Sequence, residues 1–156
     1  MTVIIKDRYK LKITENALEI SEGYEFCVTS QTGAVVVFTG LVRDHNEISS
    51  NIDLIDYQIW ESKALQILEE LSDITLSKFE DLQKIFISHR YGNIALSEES
   101  IVIVVTASHR KMAFVAAEFL IDTIKKTLPI WKNEYSKGTL QPSSDITPIT
   151  PLYNFK

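Results

Sequence analysis

The sequence predicts an α+β protein in which two long helices pack on a mixed, mostly antiparallel sheet. Three observations predict this fold class. Apolar residues keep helical spacing over residues 62–79 and again over 109–127. Continuous runs rich in valine and isoleucine occupy 33–42 and 101–108, as expected for strands. The two kinds of segment are interspersed along the chain, which favours helices layered on a sheet.

The length of the chain, 156 residues, fits one domain with a single core. We expect residues 1–140 to form this domain. Residues 141–156 contain three of the four prolines and several serines and threonines, and we expect them to form an extended or loosely docked tail.

The N-terminal half of the chain supplies the first strands. "YKLKIT" (9–14) alternates polar and apolar residues, and a short helix is expected within 21–29. "GAVVVFTGLV" (33–42) is typical of a strand that is buried on both faces. A polar loop follows, and we expect a returning strand at 52–60 to pair with the strand at 33–42.

The middle of the chain predicts the first long helix and a second pair of strands. Residues 62–79 place their leucines on one side and their charged residues on the other, as in a helix packed on a sheet. Next we expect a strand at 83–92, a turn at 93–100 and a buried strand at 101–108.

The second long helix should begin after Ser108, a good N-cap, and end near Thr127. Pro129 lacks an amide proton and disfavours helical geometry at the residue before it, so the helix cannot continue. Residues 131–138 predict one more short strand.

Composition excludes several classes of function. Apolar residues make up 45% and charged residues 24% of the chain, and the formal net charge is −5, which disfavours binding to nucleic acid or to an anionic membrane. No apolar run approaches the roughly 20 residues that span a bilayer, and the N-terminus lacks a signal-peptide centre. Cys27 is the single cysteine and can form no internal disulfide. We therefore expect a cytoplasmic protein.

Basic side chains occur at three places where predicted elements end, and these are the candidates for binding an anion. The residues are Arg43 and His45, His109 and Arg110, and Lys125 and Lys132. His109 and Arg110 precede the second helix, where free amides and the helix dipole favour a negative charge. Each place also has a structural explanation, because a loop cation can simply be solvated and lysines at a helix end complement the dipole.

Other reactive residue types have structural explanations. Cys27 lies among apolar residues with no base beside it and is expected to be a small buried hydrophobe. His89 and Arg90 end a strand and are expected to make structural hydrogen bonds. No metal-binding motif is present, so we predict neither a metal site nor a cofactor.

Three stretches, in this order and at these separations, resemble the large subunit of molybdopterin synthase. They read "GAVVVFTGLVRDHN", "ISHRYGNI" and "TASHRKMAFVAAEFLIDTIKKTLPIWKNE", and the resemblance covers about residues 33–135. It implies an α/β hammerhead fold with a small added antiparallel subdomain. It also implies a homodimer that becomes a heterotetramer by binding a small ubiquitin-like sulfur carrier at each end.

The reaction implied by the resemblance is sulfur transfer to cyclic pyranopterin monophosphate. The carrier's C-terminal Gly-Gly bears a thiocarboxylate, and two such sulfurs make the dithiolene of molybdopterin. This chemistry needs no cysteine on the present chain, which agrees with the interpretation of Cys27.

The resemblance assigns roles to individual residues. Lys125 matches the family lysine nearest the carrier tail and Lys132 the second essential lysine, so both are expected to be catalytic. The expected substrate-binding residues, in addition to the two lysines, are Leu41, Val42, Arg43, His109, Arg110, Asn133 and Glu134. In the family the histidine–arginine pair acts partly across the dimer interface. Leu41 departs from the polar or basic residue of many relatives, and the tail lacks their tryptophan-containing segment.

Two other functions share part of this pattern. A non-catalytic dimeric domain could bind a ubiquitin-like tail at a sheet edge and would not need the lysines. A transferase for another phosphorylated metabolite would use the same anion site. Binding of the pterin monophosphate and transfer of sulfur from the carrier separate these alternatives from the sulfurtransferase.

Overall fold

A computed structural model describes residues 1–143 and 148–155 and contains two sheets and three helices in those ranges. The strands are β1 (Thr2–Ile5), β2 (Tyr9–Thr14), β3 (Ala34–Leu41), β4 (Leu54–Ile59), β5 (Leu82–Arg90), β6 (Gly92–Ala95), β7 (Glu99–Ala107), β8 (Ile130–Ser136) and β9 (Thr139–Leu140). The helices are α1 (Ile20–Cys27), α2 (Glu61–Lys78) and α3 (Arg110–Thr127), and a 3₁₀ turn spans Leu152–Phe155.

The central sheet has five strands in the order β1-β2-β5-β7-β3. Only β2 and β5 pair in parallel, and the other neighbours are antiparallel. The predicted fold class, a mixed and mostly antiparallel sheet with two long helices, is confirmed. Strand β1 was not predicted, because its four residues, "TVII", show no alternation of polar and apolar side chains.

Helices cover both faces of this sheet. The long helices α2 and α3 lie side by side on one face and enclose the main core, which includes Leu68, Ile87, Ile103 and Leu120. The short helix α1 covers the other face, where Cys27, Phe86 and Val104 are among the residues of a second cluster.

A second sheet of four strands, in the order β6-β4-β8-β9, lies against one end of the central sheet. The prediction that the strand at 52–60 returns to pair with the strand at 33–42 is wrong, because β4 pairs with β6 and β8 while β3 pairs with β7. The segment predicted as a turn at 93–100 contains part of β6. Hydrophobic pattern locates a strand but does not name its partner, and this is the reason for both errors.

Strand β3 is an edge strand of the central sheet, so the prediction that it is buried on both faces is wrong. Among the described residues it pairs only with β7. Its side chains are half-buried or exposed, and Val37 and Leu41 have 40% and 51% of their surface exposed. An edge strand of eight mostly apolar residues is an unusual surface for an isolated chain.

Helix α3 ends where the sequence predicts, at Thr127, and Pro129 follows. Its start differs from the prediction. His109 rather than Ser108 occupies the cap position, in an extended conformation and without a side-chain cap bond. The backbone N–H of His109 instead donates to Asp81 Oδ2 at 3.1 Å, which gives the turn before α3 an acceptor from another segment.

The described part of the tail returns to α3. The Thr150 N–H donates to the Lys126 carbonyl at 2.6 Å, and Leu152 is buried in the main core. Residues 144–147 and 156, which belong to the tail predicted at 141–156, lie outside the described residues. Within the described ranges, no helix combines the length and the apolar character that crossing a membrane requires.

Candidate functional site

The topology places three of the expected site residues at one end of the central sheet. Helix α3 starts at the carboxyl end of β7 and returns across β3 and β7, so its last turn, with Lys125, reaches the end where β7 begins. Arg43 follows β3 at this same end, and Lys132 lies on β8 of the second sheet. We call this end of the central sheet, with the adjoining second sheet, the lysine end.

The register of β8 decides which of its side chains face inward. Lys132 lies opposite Tyr57, and Glu134 lies opposite Ile55, which is buried in a small cluster with Val42. Residues directly opposite each other in an antiparallel pair lie on the same face, so Lys132 and Glu134 point toward the space between the sheets. Asn133, one residue away on β8, therefore lies on the opposite face.

Glu134 is the buried carboxylate of the lysine end, with only 3% of its surface exposed. Its Oε1 lies 3.4 Å from Lys132 Nζ. Its Oε2 accepts a hydrogen bond from Asn46 Nδ2, which belongs to the loop that follows Arg43. A buried carboxylate needs such partners, and here it links the loop of one sheet to the lysine of the other.

Lys125 is exposed in the last turn of α3, and the segment after it is fixed. The Pro129 carbonyl accepts from the Trp60 N–H at 3.2 Å, which ties the end of α3 to the start of α2. The neighbouring Lys126 Nζ lies 5.9 Å from the ring centre of Phe155 in the tail. Lys126 thus has a tail contact, and Lys125 is the better candidate for contact with a bound molecule.

His109 and Arg110 lie at the other end of the sheet, where β7 ends and β3 begins. The nine residues of β7 between the two ends span about 30 Å at ~3.3 Å per residue. Gly33 packs directly on this turn, since a Cβ there would lie 2.1 Å from the Ser108 carbonyl oxygen. One chain therefore does not bring the predicted His109–Arg110 pair to Arg43 and the two lysines.

Leu41 and Val42 flank Arg43 in different ways. Leu41 is exposed at the end of β3. The Val42 side chain is buried, its N–H donates to the Glu98 carbonyl, and its carbonyl accepts from Ser97. These contacts fix the position from which the Arg43 loop departs.

Two residues at the lysine end were missed by the sequence analysis, Asn46 and Tyr57. Asn46 lies in a polar loop without periodicity, and only the contact with Glu134 reveals it. Tyr57 packs edge-on against His89, with ring centres 6.0 Å apart at 67°. Tyr57 on β4 lies directly opposite Lys132 on β8, and this pairing can be recognised only once the register of the two strands is known.

His89 is buried behind Tyr57, and its Nδ1 donates to the Arg90 carbonyl at 2.9 Å. Burial lowers the pKa of His89 to about 4, so the ring is neutral at physiological pH. Arg90 pairs with Glu98 at 2.8 Å and bonds the Glu15 carbonyl. The hydrogen bonds predicted for His89 and Arg90 are present in the structure.

The lowered pKa of His89 makes stability depend on pH. In the unfolded chain the ring binds a proton below about pH 6.5, whereas the buried ring of the folded chain binds one only below about pH 4. The unfolded state therefore binds more protons between these two pH values, and stability is lost as the pH falls through this window. We expect His89 to contribute a loss of up to about 3 kcal/mol in unfolding free energy. Denaturant unfolding at several pH values checks this: His89→Phe should flatten the dependence, the exposed control His45→Gln should keep it, and equal slopes would contradict it.

Cys27 is buried, as predicted, and burial raises the pKa of its thiol to about 12. Such a thiol is neither ionised nor accessible at physiological pH. Among the described residues no group of three or more histidine, cysteine, aspartate or glutamate side chains could hold a metal ion.

Comparisons with known proteins agree with this architecture. The family described as MoaE protein matches residues 13–127. The molybdopterin synthase catalytic subunit of Dictyostelium discoideum is 34% identical over 131 residues, which are 83% of this chain and 82% of that protein. The catalytic subunit of Pyrococcus abyssi is 31% identical over 129 residues, 83% of this chain and 86% of its own length.

Solved structures share the fold. Molybdopterin synthase from Staphylococcus aureus superimposes with a TM-score of 0.78 at 29% identity, over 88% of this chain and 97% of that one. A complex of subunits 1 and 2 of the molybdopterin-converting factor from Helicobacter pylori 26695 gives a TM-score of 0.72, over 88% and 92% of the two chains. At 24% identity, this second likeness concerns the fold alone.

Proposed function

The chain belongs to the MoaE protein family, and from this premise we propose that it is the catalytic subunit of a molybdopterin synthase. It transfers sulfur from the C-terminal thiocarboxylate of a small ubiquitin-like carrier to cyclic pyranopterin monophosphate. The observation that carries the proposal is the convergence of Arg43, Lys125 and Lys132, from three separate segments, at the lysine end.

The chemistry of the lysine end suits this reaction. Both reactants are anions, because the substrate carries a phosphate and the carrier ends in a thiocarboxylate, and cations placed around them supply charge-assisted hydrogen bonds. Lys125 contacts the carrier's terminus, where an amine can stabilise or shuttle charge while the thiocarboxylate sulfur bonds to the substrate. Water then cleaves the acyl C–S bond and supplies the oxygen of the carboxylate that remains on the carrier. Lys132, held by Glu134, contacts the substrate. Asn133 lies beside Lys132 on β8, and Leu41 ends β3 two residues before Arg43.

A second copy of the chain completes the site. His109 and Arg110 lie about 30 Å from the lysine end of their own chain, by the length of β7 at ~3.3 Å per residue. A two-fold axis across the middle of β3 brings the beginning of one β3 to the end of the other. The partner subunit's His109 and the partner subunit's Arg110 then approach Arg43 and Lys125.

The surface around β3 supports this arrangement. Phe119 packs on Phe79 and so marks the side of α3 that faces α2. The other side, toward the edge strand, carries Arg110, Phe114 and Lys125 at helical spacing, with Phe114 62% exposed. This side of α3 and the open edge of β3 form a surface that a second copy can cover. Arg110 of one subunit then lies near Lys125 of the other, and an anionic substrate between them offsets the repulsion of the two cations.

Reconstitution tests the proposal directly. The purified chain is mixed with thiocarboxylated carrier and cyclic pyranopterin monophosphate, and the pterin product is weighed by mass spectrometry. We expect two sulfur atoms per product and co-purification of the carrier. Binding of the carrier without sulfur transfer would contradict the proposal and favour a non-catalytic role.

The buried thiol gives a further prediction. Because Cys27 is not exposed and its thiol is un-ionised, Cys27→Ala should retain the sulfur-transfer rate within about twofold. The same variant should lower the stability by about 1 kcal/mol, since a small buried group is removed. The rate is measured in the reconstituted assay, and loss of transfer in a folded variant would contradict the assignment.

We place the enzyme in the cytoplasm, where a lone thiol remains reduced.

A further inference from the structure

The side chain of Asn46, in the loop after Arg43, makes four hydrogen bonds within the described part of the chain. Its Oδ1 accepts from the Ile48 N–H at 2.7 Å and from the Ser49 N–H at 2.6 Å, which closes the turn of the loop. Its Nδ2 donates to Glu134 Oε2 and to the Pro142 carbonyl, the latter at 3.0 Å. Both ends of one amide are therefore used, two bonds on each.

These bonds join three separate segments. They hold the 43–51 loop, strand β8 through Glu134, and the segment after β9 through Pro142. Ser49 Oγ adds a bond to the same Pro142 carbonyl at 2.9 Å, and the Ile52 N–H donates to the Asp44 carbonyl at 2.8 Å at the base of the loop. The loop is thus anchored at its base and its turn.

We propose that Asn46 is a positioning residue for the sulfur transfer, which locks the Arg43 loop to the carboxylate that holds Lys132. This inference rests on the proposed function. Glu134 uses one oxygen for Lys132 and the other for Asn46, so the lysine amine and the loop share one buried anchor. The position of Arg43 relative to Lys132 is therefore set through Asn46 and Glu134 rather than by direct contact.

The amide is chemically specific for this role. An aspartate of the same shape keeps the oxygen that accepts from Ile48 and Ser49, but it presents a second carboxylate to Glu134. Two carboxylates at hydrogen-bond distance repel each other unless they share a proton. The other charged groups nearby are Lys132 on β8 and Asp44, His45 and Glu47 in the loop itself.

The experiment compares Asn46→Asp with Asn16→Asp in the reconstituted enzyme with its carrier. Asn16 is exposed, and no side-chain hydrogen bond of it is present in the described part of the chain, so its variant makes the same chemical change without the contact. At pH 8 we expect Asn46→Asp to transfer sulfur roughly tenfold or more slowly, the effect of losing a buried bond to a charged group. The deficit should shrink as the pH falls toward 6, because the pair then shares a proton.

A merely structural asparagine would not give that pH profile. Asn46→Ala, which cannot share a proton, should be slow at every pH relative to wild type. Amide hydrogen exchange of Ile48 and Ser49 in the chain without substrate should be faster in Asn46→Ala, independently of catalysis. If Asn46→Asp fails to fold, Asn46→Ser takes its place in the rate and exchange comparisons.

The outcomes separate this inference from the proposed function. Wild-type enzyme that forms no dithiolene product overturns the proposed function. Active wild type with Asn46 variants that match the Asn16→Asp control overturns the role of Asn46. A deficit in Asn46→Asp that is the same at every pH overturns the coupling to Glu134.

Discussion

Replacing Lys125 by alanine is expected to reduce product formation by roughly two to four orders of magnitude, the range for loss of a positioned acid–base or charge-stabilising group. The reason is its place in the last turn of α3, exposed at the lysine end and followed by a segment fixed to α2 through Pro129. The folded dimer should persist, because the Lys125 side chain is exposed and is not part of the core. Single-turnover formation of the pterin product measures the effect.

Two variants sharpen this result. Lys126→Ala is the matched control, since it removes the adjacent lysine, which contacts Phe155 in the tail, and it should keep most of the rate. Lys125→Arg keeps the charge but does not readily give up a proton. Full rate in Lys125→Arg would reduce Lys125 to an electrostatic anchor, and full rate in Lys125→Ala would refute its assignment.

A mixture of two inactive variants is expected to regain activity. If each site takes Lys125 from one subunit and Arg110 from the other, a dimer of Lys125→Ala with Arg110→Ala contains one wild-type site and one site that lacks both groups. Random exchange makes half of the dimers mixed, so the mixture should reach about a quarter of the wild-type rate. The rate is followed after subunit exchange under conditions that leave the dimer folded.

The control for complementation is a mixture of Lys125→Ala with Lys132→Ala. Both lysines of a site come from one subunit, because they lie at the same end of one chain, so each of the two sites in a mixed dimer lacks one lysine. Mixing these two variants is therefore expected to restore no wild-type site and no activity. Recovery in this mixture, or its absence with Arg110→Ala, would contradict the shared site.

The long helices were predictable from sequence because each carries its own signal. The helix predicted at 62–79 is α2 at Glu61–Lys78, since an amphipathic helix is specified by residues three and four apart. Pro129 marks the end of α3 for an equally local reason. The strands were located almost as well, but β4 was paired wrongly because a strand's partner depends on contacts far away in sequence.

The candidate site was predictable in its residue types but not in its geometry. Lys125, Lys132 and Arg43 were candidates because they lie at the ends of predicted elements, and the resemblance gave them roles. Their placement at one end requires the return of α3 across the sheet. The valine run of β3 has the same composition in a central strand and in an edge that another copy can cover, so its exposure could not be predicted. Asn46 gave no signal, because a polar loop residue resembles any other until its contact is known.

The second sheet is built from three separate stretches of chain, carried on β4, β6 and the β8–β9 hairpin, and each leaves and re-enters a different part of the central layers. A domain that moves about a hinge is joined to the rest of the protein by few chain connections. The second sheet has several such connections, so we do not expect it to move as a rigid body relative to the central sheet. The platform that holds Lys132 and Glu134 should therefore melt together with the central sheet in one cooperative transition. In the proposed reaction we therefore expect the conformational change on binding to occur in the carrier's tail, while the second sheet keeps its position at the lysine end.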